Sequence, residues 1–421
     1  MGGKDFCCTV AGTPHIWAQE ELIQQILGCI PSDVGRSRVT SFKYKGKWFT
    51  TGGHAPSPKV LAGLHFSAED HRASTDCVLI AGYEPVKGAS SDEGLIISEL
   101  YCQMDDEPDI EDFTHATVVF DVFPDDEGIY VEQKDTDAWY NIWWDRSAYC
   151  FTFTGYCILR TVAPELDPST IYRTLTHRSP RLEGEGVDNA WLNTPSALDY
   201  GGVEKIFDQY VNRPDICEDE NTDAFWTYLL CYSDLTDEEI LDVAWNGEGN
   251  LWVFPIQSTV ESSPLSQFPG RNGGHATVED DSLPPRFDLL PVDIIFLICE
   301  EMTLKSFLHV LSLNKRLRNI LLPHVDELAY KAMKHTVPYY FPCKPIKTPD
   351  GTREHEELDW WDREWLQEAG IAVDEVRHKA PWLRYWMECT RTASMRNRKR
   401  MWRTAESIKE LALAYGYLNN N

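Results

Sequence analysis

The groups in this chain that could do chemistry are thiols, imidazoles and clustered carboxylates, and their spacing argues against most of it. The cysteines are scattered with no C-x-x-C pair, and Cys7-Cys8 is the one adjacent pair, with His15 not far downstream. Two neighbouring cysteines seldom reach one ion in good geometry, so thiols without metal are expected there. His355-Glu356-Glu357 offers a Glu but no second His one helical turn on, which removes a zinc-protease site. There is no G-x-x-x-x-G-K-[ST], no G-x-G-x-x-G after a strand and no G-x-S-x-G. A calcium loop alternates oxygens around a Gly turn. The acidic runs Asp105-Asp106-Glu107, Asp125-Asp126-Glu127 and Glu218-Asp219-Glu220 lack that register and read as solvated loops. Two carboxylates facing each other would make a glycoside hydrolase, a geometry set only by the tertiary fold. A carboxylate-based hydrolase in the N-terminal part therefore stays open as an alternative. No catalytic residue, metal ligand or cofactor is expected.

The basic run Arg391, Arg396, Arg398, Lys399, Arg400, Arg403 admits two readings: a nuclear-import or nucleic-acid patch, or a solvated helix face with Trp402 turned inward. The second is favoured. Gly-Gly-His-Ala occurs at Gly52 to Ala55 and again at Gly273 to Ala276, which is read as coincidence.

These residues sit in a chain of 421 residues with 43% hydrophobic and 12% aromatic content, ample for packed cores. The net charge of −28 is unevenly spread. Of 39 basic and 67 acidic residues, 21 and 19 lie from Leu283 onward, leaving 18 and 48 before it. That asymmetry predicts two parts with different tasks. The acidic part is a poor partner for nucleic acid, whose phosphates need Lys and Arg. No signal peptide, Asn-x-Ser/Thr acceptor, myristoylation signal or membrane-length apolar run is present. Reduced thiols in the cytoplasm and/or nucleus are expected, with no membrane partner.

In chain order, a helix is expected over Ile16 to Leu27, stopped by Gly28. Strand-type runs follow at Val78-Leu79-Ile80, Val118-Val119-Phe120 and Ile129-Tyr130-Val131. Tyr149 to Arg160, where Phe151 and Phe153 alternate with Thr152 and Thr154, reads as the clearest strand. Trp139, Trp143 and Trp144 just before it are expected in a core or hairpin face. Asp167-Pro168 reads as an N-cap and N1 Pro opening a helix through Thr176. Helices are expected over Val203 to Val211 and Asp223 to Tyr232, and after a capping box at Thr236-Asp237-Glu238-Glu239. Trp252-Val253-Phe254 would be a closing strand.

The predicted fold class is thus α+β. Residues 1–256 make an acidic domain of mixed strands and helices, and 257–285 a Ser/Pro/Gly-rich linker. Residues 286–330 make a three-helix module, and 331–421 a Trp-rich helical tail expected to pack on that module. Within the tail, Pro338 to Pro349 reads as a loop and Arg353 to Ala369 as an amphipathic helix carrying Leu358, Trp361 and Trp365. A last helical stretch from Pro381 carries Trp382, Trp386, Trp402 and Leu411.

The module is the sharpest signal. Leu290-Pro291 opens it, Asp293 suits the positive end of a helix dipole, and Ile294 to Ile298 put apolar surface on more than one helix face. Thr303 and Ser306 supply caps for a second helix with Phe307, Leu308 and Leu311 on one stripe. A third apolar set runs Leu313, Leu317, Ile320, Leu321. Helices this short bury little by themselves, and leftover apolar surface marks a partner site.

The stretch resembles an F-box, the helical module that binds the Skp1 adaptor of cullin–RING ubiquitin ligases. The matching residues are Leu290-Pro291, Asp293, Ile294-Ile295, Ile298, Phe307-Leu308 and Leu313-Asn314-Lys315-Arg316-Leu317-Arg318. Leu317 stands where the family usually has Trp, and Asp293 where Glu is commoner. The resemblance implies docking on a Skp1-like adaptor, and through it a cullin, by Leu290, Pro291, Ile294, Ile295, Ile298, Phe307, Leu308, Leu313 and Leu317. The acidic domain, together with the tail, would then hold a target protein, and the chain would act by tethering, without chemistry of its own. A C-terminal box with no repeat domain resembles the F-box sets of filamentous fungi. A further alternative is an interaction scaffold whose helices pair with some other protein.

Overall fold

The computed structural model describes residues 7–10, 13–14, 42–44, 47–49, 77–83, 115–125, 128–132, 139–142, 148–177, 198–200, 236–238, 289–348, 351–353, 381–391 and 393–418. Several expected elements lie outside them: the helices at Ile16 to Leu27, Val203 to Val211 and Asp223 to Tyr232, the strand at Trp252, the linker, and all but Arg353 of the helix through Ala369. The chain forms two compact units, the first made of Met1–Trp252, Lys344–Arg353 and Asn397–Asn421, the second of Val253–Cys343 and Glu354–Arg396. The tail expected as one piece is thus divided between them.

The first unit mixes strands and helices. Short antiparallel pairs join β1 (Cys7–Cys8) to β2 (Thr13–Pro14) and β3 (Phe42–Tyr44) to β4 (Lys47–Phe49). The main sheet is antiparallel throughout. It is built from β5 (Cys77–Tyr83), β6 (His115–Asp125), β7 (Gly128–Glu132), β8 (Trp139–Ile142) and β9 (Ala148–Thr152), in the order β8-β7-β6-β5-β9. Cys77 to Ala81 are buried without alternation, as befits a strand covered on both faces.

The expected strand from Tyr149 to Arg160 is half right. It stops at Thr152, and Phe153–Val162 is helix α1. The Thr152 hydroxyl accepts the Gly155 N–H at 3.1 Å, an N-cap that lets the chain turn from strand to helix without a loop. The backbone N–H of Thr152 in turn donates to Cys8 Sγ at 3.3 Å. A Cβ on Gly155 would stand 2.9 Å from the Thr152 hydroxyl and 3.0 Å from Cys8 Sγ, so this turn needs glycine. Phe153 to Leu159 are all buried, as expected of a helix covered on every side.

Helix α2 (Pro168–Thr176) begins as its sequence predicts, with the Asp167 carboxylate accepting the Thr170 N–H at 2.9 Å and Pro168 at N1. It packs on β5 and β6, where the Tyr172 ring lies over Gly82.

The second unit is helical over its described residues. It contains α3 (Val292–Glu300), α4 (Leu304–Leu313), α5 (Lys315–Leu321), α6 (Val325–Thr336) and α7 (Trp382–Arg391). Its core gathers Ile295, Cys299, Phe307, Leu317, Leu328, Met333, Trp382 and Trp386. Each such side chain contributes roughly 1.5–3 kcal/mol by leaving water. The expected loop at Pro338 to Pro349 is more ordered than its prolines imply. Pro338–Tyr340 is a 3-10 turn, and β10 (Ile346–Thr348) pairs with β11 (Gly351–Arg353) in the first unit. Arg353 is therefore strand, not the start of a helix.

Helix α8 (Ala393–Ala414) buries Met401, Ala405, Ile408 and Ala412 along one stripe. It ends in a Schellman turn: Gly416 has φ of 72°, and the Gly416 and Tyr417 N–H groups donate to Leu413 and Ala412 at 3.1 and 2.9 Å. Among the described residues, no helix is long and apolar enough to cross a membrane.

Candidate functional site

The candidate site is the outward side of α3. Pro291 occupies the N-cap position. No side chain caps there, and the Pro291 carbonyl accepts the N–H groups of Ile294 and Ile295 at 3.0 and 3.1 Å. Asp293 lies in the first turn, where its charge meets the helix dipole. At 100° per residue, Ile295 and Cys299 fall on one side and Ile294 and Leu297 on the other. The first pair is closed off at 0% exposure, whereas Ile294 is 42% and Leu297 58% exposed. Leu290, just ahead of the helix, is 37% exposed, and Leu289 and Val292 are also exposed. The helix is apolar on both sides, and only one side is covered within the described fold.

The inner side is fixed by α6, on which α3 packs. Glu300 forms an ion pair with Lys331 at 2.5 Å, and Lys331 lies 3.9 Å from Glu327 one turn earlier on α6. Phe296 and His324 bring their ring centroids to 5.1 Å. Burial pushes the Cys299 thiol up to about 11, and the Glu300 carboxylate adds to it. That thiol is a packing group rather than a nucleophile.

The next two helices are set by their caps. Thr303 accepts the Ser306 N–H at 3.4 Å to open α4, and Asn314 accepts the Leu317 N–H at 2.8 Å to open α5. Phe307 is turned fully inward, its ring 6.2 Å from that of Trp386. Trp386 and Trp382 come from α7, and Trp382 also meets the Tyr330 ring at 4.7 Å. The Asp326 carboxylate on α6 accepts the Leu383 N–H at 3.0 Å, so α6 caps the first turn of α7 from outside that helix.

The nine residues expected at a partner surface thus divide. Leu290, Pro291, Ile294 and Leu313 are exposed, and Ile298 and Leu308 are half-buried. Ile295, Phe307 and Leu317 are core: they hold the helices and present no surface to a partner. The F-box-like pattern does not separate these roles, because it records apolar spacing without sidedness. Leu289, Val292 and Leu297 are exposed apolar residues that the pattern passes over. For Leu297 the signal was the unbroken apolar run from Ile294 to Ile298, longer than one buried stripe needs.

The basic run near the C-terminus is solvated except at Arg398, with Arg396, Lys399 and Arg400 half-buried. Arg398 is 2% exposed and Asn397 is buried beside it in sequence, while Arg391 and Arg403 are exposed. Trp402 is inward, as expected. Cys8 is buried against the Thr152 turn, and His15 lies outside the described residues. Among the described residues, no cluster of His, Cys, Asp or Glu is arranged to hold a metal ion. No family model matches the chain, and no curated protein or solved structure matches it.

Proposed function

We propose that this chain is a substrate-recognition adaptor of an SCF-type ubiquitin ligase, docking a Skp1-like protein through the outward side of α3. The observation that carries the reading is the two-sided apolar character of α3, with Ile295 and Cys299 buried and Ile294 and Leu297 exposed. Supporting it are the Leu290-Pro291 opening and the two capped helices that follow with the F-box spacing. The contact residues are Leu290, Pro291, Ile294, Leu297 and Leu313 with the half-buried Ile298 and Leu308; Ile295, Phe307 and Leu317 shape the surface from beneath. The acidic part before the linker holds the target, and the chain works by raising the target's local concentration near the ligase.

The test is co-purification of the full chain with recombinant Skp1, compared with an Ile294→Asp, Leu297→Glu variant. Both substitutions are on the exposed side, so the circular dichroism spectrum is expected to stay unchanged. Binding is expected to fall at least tenfold, since charged groups replace apolar anchors. A folded full chain that does not bind Skp1, or a variant that binds as well as the original, overturns the proposal.

A further inference from the structure

We draw no further inference here: the strongest candidate, the side-chain cluster where the Tyr415–Tyr417 turn after α8 closes on Arg173 and His177 at the end of α2, has its ring faces and the His177–Tyr417 hydrogen bond engaged within the fold, and no second observation there points to a ligand.

Discussion

Replacing Trp382 by Ala asks whether α7 belongs to the same cooperative core as α3 to α6. Trp382 is shut off from solvent, and its ring lies 4.7, 5.7 and 5.8 Å from those of Tyr330, Phe341 and Tyr385. Truncating a buried Trp to Ala costs about 3–5 kcal/mol, because the lost transfer energy is compounded by a cavity that neighbours only partly fill. Domains hold only about 5–15 kcal/mol in total, so the second unit is expected to be left marginal. Hydrogen exchange on the full chain reads this locally. Amides of Lys315–Leu321 and Val325–Thr336 are expected to exchange roughly two to nearly four decades faster, at 1.4 kcal/mol per decade. Those of Cys77–Tyr83 and Phe153–Val162, in the other unit, should be little changed. Trp382→Phe should recover most of the protection. Unchanged protection over Val325–Thr336 in Trp382→Ala would show that α7 is an appendage, and the packing argument would fail.

Three further outcomes are expected. Gly82→Ala places a Cβ 2.4 Å from Tyr172 Cζ and should cost about 1–3 kcal/mol; an unchanged Tm in differential scanning fluorimetry would contradict the close approach. Burial raises the Asp326 carboxyl above the usual carboxylate range, against the opposing pull of the Leu383 N–H. The fold then binds that proton more tightly than the unfolded chain does. The contribution of Asp326 to stability is therefore fullest below the unfolded value and is lost as pH rises through the folded one. Asp326→Asn keeps an oxygen for Leu383, so in urea titrations it should match or exceed the original at neutral pH and lose ground in acid; lower stability at neutral pH would refute this. With its thiol raised to about 11, Cys299 should react about a hundredfold more slowly with iodoacetamide than in the unfolded chain. Equal labelling rates followed by mass spectrometry would show that it is not held in the core.

Local signals were legible where one side chain decides the backbone. Asp167-Pro168 and Thr303 announce helix starts because a cap is a contact within a few residues, and the structure makes both contacts. The runs at Val78, Val118 and Ile129 are all strands. The reading of Tyr149 to Arg160 failed at Thr152, because alternation of Phe and Thr looks alike on both sides of a cap. What turns that Thr into a helix start is its place beside Gly155 and Cys8, and Cys8 lies far off in sequence. The exposed side of α3 was half legible. Its apolar run predicted two apolar sides, but which residues face α6 is set by packing with a helix some thirty positions away. For the same reason Arg398 was misread, since a basic stripe gives no sign that one member is buried.

The first unit takes residues from three separated stretches, closing with Asn397–Asn421, while the second is complete by Arg396. Synthesis runs from the N-terminus, and domains generally fold as units as they emerge. The helical unit can therefore close on the ribosome while the acidic unit still waits for α8. During that interval the acidic unit lacks the buried stripe of Met401, Ala405, Ile408 and Ala412, whose Met401 would stand 3.6 Å from a Cβ on Gly155 of α1. A premature stop just before residue 397 would thus leave the helices of the second unit intact and the acidic unit unfinished. Late truncations should then uncouple the two units' fates, leaving the helical unit closed and the first unit incomplete.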